Sequence, residues 1–151
     1  MKRRDADTID LFRDYAPPPV VARFPPERVR AAKCSARIAR AVAEAIKESK
    51  HSRDVIAQLM ADYLGEHITV SMLDQYTSTA NDKSNIPAHR LVALIAVTND
   101  VRIINAMLTD TDMIAVPAKY EALIRREVAK DVRDRLDREI CAADTEWRAR
   151  R

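Results

Sequence analysis

The sequence predicts an all-α protein: a compact five-helix domain, preceded by a proline-rich arm and followed by one long charged helix. Three observations lead there. The 151 residues include a single glycine, Gly65, whereas hairpin-rich folds draw on glycine for their tight turns. Hydrophobic residues make up 47% of the chain but aromatics only 5%, so a core must be built from Ala, Val, Ile, Leu and Met. Those residues recur at intervals of three and four over most of the chain beyond residue 34, which is the helical period.

Residues 1–33 read as the arm. A run of three prolines at 17–19 and the pair Pro25-Pro26 favour extended backbone and forbid a continuous helix. Phe12, Tyr15, Val20, Val21 and Phe24 lie between the polar residues. They are free to pack along the domain or on another chain; a leader without fixed structure is the other reading.

Residues 34–109 form the predicted domain. In SARIARAVAEAIKES, Ile38, Ala39, Val42, Ala43 and Ile46 make one apolar face, with Ser35 as the expected cap. A second helix is expected from Arg53 to Leu64, capped by Ser52, with Val55, Ile56, Leu59, Met60, Tyr63 and Leu64 inside. Gly65 ends it, because glycine tolerates positive φ. A short third helix follows over Val70 to Thr77, with Thr69 as N-cap and Leu73 and Tyr76 on its inner face; Ile68 before it is expected to plug the core. The polar stretch STANDKSN at 78–85 is a loop. Pro87 suits the first position of a fourth helix reaching Val97, and Asn99-Asp100 links it to a fifth over Val101 to Leu108.

Residues 110–151 are read as a linker and a long helix. Met113, Ile114 and Val116 are apolar enough to dock on the domain. From Ala118 to about Arg150, Tyr120, Ile124, Val128, Val132, Leu136 and Ile140 recur every four residues. That stripe drifts round a helix faster than a heptad seam, and so charged a helix needs it covered in water. Homodimerisation through residues 118–150 is the preferred reading; packing back on its own domain, or a free helix, are the others. Trp147 reads either as a contact anchor or as incidental.

Charge constrains partners weakly. The formal net charge is +3, and residues 66–118, with three basic against six acidic side chains, carry −3. A polyanion is permitted but any surface for it must be local. No stretch approaches the length of a membrane span, and the basic start of the chain is broken at once by Asp5, Asp7 and Asp10 with no apolar signal region behind it. Cys34 and Cys141 are far apart in helical patterns, where cysteine behaves as a small hydrophobe. These features fit a cytoplasmic protein.

Two helices joined through a glycine turn, the second short and capped, form a helix-turn-helix pattern. SRDVIAQLMADYLG, ITVSMLDQYTS and IPAHRLVALIAVTND resemble the five-helix DNA-binding domain of phage-repressor-type helix-turn-helix proteins, and more narrowly the small regulators of transposable, Mu-like prophages. The resemblance spans about half the chain. It implies a framework in which Ala57 permits close helix crossing, Gly65 makes the turn, Thr69 caps the recognition helix, Leu73 anchors it and Tyr76 takes a position that is often aromatic in the family. This chain departs in its longer first motif helix and in Glu66-His67, which lengthen the turn.

On that frame the helix at 69–78 enters the major groove of double-stranded DNA. Ser71, Met72, Gln75 and Ser78 are the candidate base contacts: Gln75 suits an adenine edge and Met72 a thymine methyl. Arg37, Arg40, Lys50, Arg53 and Lys83 are candidates for neutralising phosphates. The recognition helix itself has no Lys or Arg and carries Asp74, which costs affinity beside phosphates. Against an enzyme, His51, His67 and His89 match no metal signature, the carboxylates of the last helix alternate with Arg and Lys as ion-paired faces do, and nothing calls for a cofactor. The expected function is a sequence-specific, dimeric DNA-binding transcriptional regulator. The runner-up is a helical protein-interaction or architectural module, which Asp74 and the acidic middle of the chain favour.

Overall fold

The computed structural model describes residues 19–80 and 85–150. Among the described residues seven helices run in order: α1 (Pro26–Val29), α2 (Cys34–Glu48), α3 (Arg53–Leu64), α4 (Val70–Thr77), α5 (Ala88–Thr98), α6 (Arg102–Met107) and α7 (Glu121–Ala149), the last entered through a 3-10 turn at Ala118–Tyr120. No strand occurs among the described residues, so the all-α class holds.

The core is shared by α2 to α6. Its fully buried large side chains are Val42 from α2, Ile56 and Met60 from α3, Leu73 from α4, Leu94 from α5 and Ile103 from α6. No single helix can bury its apolar face alone, and each contributes at most two of these anchors. α2 packs on α6, α4 and α1, while α3 packs on α5 and α4. Ile68, in the turn before α4, is buried as its sequence position suggested.

Helix ends follow local chemistry. Ser52 Oγ accepts from the Val55 N–H (3.4 Å), and Thr69 Oγ1 from the Met72 N–H (3.2 Å), so both expected N-caps form. Gly65 closes α3 at φ 67°, ψ 24°, and Asn99 closes α5 in the same left-handed region at φ 52°, each with its N–H on the carbonyl four residues back. Elsewhere the boundaries move. α2 starts at Cys34, with Lys33 rather than Ser35 at its N-cap. Pro87 is the N-cap of α5 instead of its first residue.

The flanking segments dock more closely than the sequence suggests on one side and less on the other. Phe24 is buried in the core, and α1, which periodicity did not suggest, adds Val29. The Arg102 guanidinium lies 4.2 Å from the Phe24 ring centre. Asn105 of α6 is buried and clamps both flanks: its amide donates to the carbonyls of Ala22 and Ala115 (2.9 Å each), and its carbonyl accepts from the Ala115 N–H (2.8 Å). From Ala22 onward, therefore, the arm is tied to its own domain, while Val20 is exposed; Phe12 and Tyr15 fall outside the described residues. Met113 and Ile114, expected to dock, are exposed.

Other expectations are also corrected. Val55, Leu59 and Tyr63 of α3 face solvent, because the buried side of that helix is set by Ile56, Ala57 and Met60. Both cysteines are free and exposed rather than small core residues. Every residue of α7 is exposed, so the long helix does not fold back on the domain.

Candidate nucleic-acid interface

α3, the 65–69 turn and α4 form a surface whose inner side is fixed and whose outer side is free. Ala57 is buried where α3 meets its neighbours, and Leu73 and Tyr76 are buried beneath α4. Gly65 has no atom within 4 Å of where a Cβ would stand, so its requirement is the positive φ alone.

Two polar links hold α4 in place. Arg53 Nη1 donates to Asp74 Oδ1 (2.5 Å), joining the first turn of α3 to the middle of α4 with both side chains partly exposed. Arg90 of α5 donates from Nη1 to the Tyr76 hydroxyl (2.6 Å) and from Nη2 to Glu66 (3.1 Å), tying α5 to α4 and to the turn. Sequence reasoning missed the Arg90 node. Its partners lie fourteen and twenty-four residues away, with no helical spacing to suggest them.

The candidate base contacts divide. Ser71, Gln75 and Ser78 are exposed on the outer face. The Gln75 carboxamide carries no hydrogen bond among the described residues. Met72 does not belong with them: it is partly buried and packs against the core, one position before Leu73.

The candidate phosphate contacts divide as well. Arg37 is buried, its Nε on the Ala106 carbonyl (2.8 Å) and its Nη2 on Asp110 (2.6 Å); it fastens α2 to the end of α6 and is withdrawn from phosphate contact. Arg40 is exposed and donates to the Arg30 carbonyl. Lys50 is exposed beside α3, and Arg53 is engaged by Asp74. Lys83 lies outside the described residues. Asp74, the feature least suited to DNA, thus faces a guanidinium.

Beyond this surface, Glu48 at the end of α2 bridges Arg102 (2.8 Å) and Arg28 (2.7 Å), and the Arg102 hydrogen bond foremost holds its carboxyl below the usual glutamate range. No group of three or more His, Cys, Asp or Glu suited to a metal occurs among the described residues. No described helix is long and apolar enough to cross a membrane. Compared with family models, with curated proteins and with solved structures, the chain matches none.

Proposed function

We propose that the chain is a sequence-specific DNA-binding transcriptional regulator with a helix-turn-helix domain of phage-repressor type, akin to the small regulators of Mu-like prophages. It acts in the cytoplasm as a homodimer through residues 118–150 and reads the major groove with the helix at 69–78. The observation that carries this reading is α4 itself. It is capped by Thr69, anchored from below by Leu73 and Tyr76, and presents the unengaged Ser71, Gln75 and Ser78 outward. A rigid helix with short polar and amide side chains on its free face is what base-edge recognition needs.

Arg40, Lys50 and Arg53 supply the cations that remain available to a duplex. Arg53 reaches phosphate by exchanging Asp74 for it, so part of the electrostatic gain offsets a lost ion pair. Nothing in the reading calls for a catalytic step.

The test is a titration of purified protein against genomic duplex fragments at two salt concentrations, with bound fragments sequenced. An enriched motif with salt-sensitive affinity is the expected result. Gln75→Ala should relax preference at one base pair by about 1–3 kcal/mol, whereas Arg53→Ala should weaken all sequences alike and flatten the salt slope by about one. Duplex binding absent even at low salt sinks the proposal. The second reading, a protein-interaction module, is favoured by a specific observation: Val55, Leu59 and Tyr63 form an exposed apolar row on α3. Capture of no sequence motif, with loss of partner binding on Tyr63→Ser, would select it instead.

A further inference from the structure

We propose that the apolar stripe of α7 is covered by the same helix of a second copy, running antiparallel and centred near Leu136. The proposal rests on the dimer reading above and adds orientation and register to it. At about 100° per residue, Tyr120, Ile124, Val128, Val132, Leu136 and Ile140 each step round the helix by about 40°. A single straight partner therefore cannot cover all six. The C-terminal half straightens. Ala129, Val132, Leu136, Ile140 and Ala143 follow at spacings of three, four, four and three, within an arc of about 80°. All five are exposed. The step from Ala129 to Ile140 is one 11-residue repeat, which pairs helices without the left-handed supercoil of heptads.

Charge decides the direction. On one flank of this seam stand Arg126 and Arg133 in the N-terminal half, then Asp137 and Asp144 in the C-terminal half. Arg126 and Arg133 hold only exposed pairs with their next neighbours, Glu127 (2.7 Å) and Asp134 (3.1 Å), which contribute little. Asp137 and Asp144 have no ion pair among the described residues. An antiparallel alignment about Leu136 layers Val132 on the partner's Ile140, Ala129 on the partner's Ala143, and Leu136 on its own copy. The same alignment sets Arg133 against the partner's Asp137 and Arg126 against the partner's Asp144, and symmetry makes each pair twice. In a parallel, in-register pair, residues of the same number share a height and neither pairing forms. Rim charges of this kind fix orientation more than they add affinity.

The experiment uses the full chain without DNA. Its exposed cysteines are removed by Cys34→Ser and Cys141→Ser, and a spin label is carried at Glu121→Cys for distance measurement by pulsed electron resonance. With a rise of 1.5 Å per residue, the antiparallel pair places the two labelled backbones about 45 Å apart. A parallel pair places them about 10 Å apart. A short distance, or a chain monomeric at millimolar concentration, overturns the proposal. A second arm reverses charges: Arg126→Asp with Arg133→Asp should weaken the dimer roughly ten-fold, and adding Asp137→Arg with Asp144→Arg should restore it. Either an unaffected dimer after the first pair, or no rescue by the second, also overturns it. A chain that pairs antiparallel yet binds no duplex overturns only the DNA reading, and a DNA-binding chain with the short distance overturns only this pairing.

Discussion

Single side chains carry more of this fold than their sequence positions suggest, and Glu48 is the clearest case. Its carboxylate is shared by Arg102 of α6 and Arg28 of α1, so one residue at the end of α2 joins three helices. Because those guanidiniums, Arg102 foremost, lower its folded pKa, its stabilising contribution is complete above the unfolded glutamate range. That contribution disappears as pH falls through the lower folded value. Glu48→Gln should cost at most about 1 kcal/mol at neutral pH, given the partial exposure of the group. The difference from the parent should shrink in urea unfolding as pH falls below the usual glutamate range and vanish below the lowered folded value. A difference that does not shrink at any acid pH at which the chain stays folded would show that packing, not charge, is lost. Gly65 offers a complementary test, since space is open around it and φ is positive. Gly65→Ala should destabilise by about 1–2 kcal/mol through backbone strain alone, while Asn99→Gly, at the matching position of α5, should be neutral or slightly stabilising. Equal losses at both sites would mean that side-chain contacts, not φ, set those helix ends.

At the level of elements, what periodicity and caps can encode was legible and what long-range pairing decides was not. Ser52, Gly65, Thr69, Leu73 and Tyr76 behave as the sequence implied, because a cap, a left-handed stop and an apolar face are all properties of a few neighbouring residues. Arg37 shows the limit. An arginine on a helix reads as solvated until the chain 69 and 73 residues on supplies the Ala106 carbonyl and the Asp110 carboxylate. Met72 differs for a local reason: it stands one turn before the buried Tyr76, on the same side of α4, and so packs at the edge of the core. In the other direction, the carboxylate of Asp74, which counts against phosphate contact in the sequence, is paired with the Arg53 guanidinium. Asp74→Asn frees that guanidinium and removes a carboxylate from the α4 face. On the proposed DNA reading, it should tighten duplex binding several-fold and steepen its salt dependence, read by titration at two ionic strengths. Unchanged affinity would remove Arg53 from the phosphate contacts.

Across the whole molecule, the stabilising contacts are unevenly distributed. The α2–α6 domain encloses a core of fully buried side chains, whereas every residue of α7 is exposed in the isolated chain. A helix of 29 residues with alternating charges forms partially on its own, but in water such helices owe most of their stability to a covered apolar face. The two parts should therefore unfold separately, and the chain carries its own probes. Its only tryptophan, Trp147, is on α7, while Tyr76 is buried in the domain. On the proposed pairing, in which a second copy completes α7, heating should give a Trp147 fluorescence transition that moves to higher temperature as protein concentration rises. In a chain whose other three tyrosines are replaced by Phe, tyrosine absorbance reports Tyr76 and should change at a temperature insensitive to concentration, since the domain core is satisfied within one chain. Two-state unfolding demands that different probes coincide, so a single concentration-independent transition seen by both would contradict this division. The long helix would then have to be stabilised by its own domain, through contacts that its exposed stripe does not make in this structure.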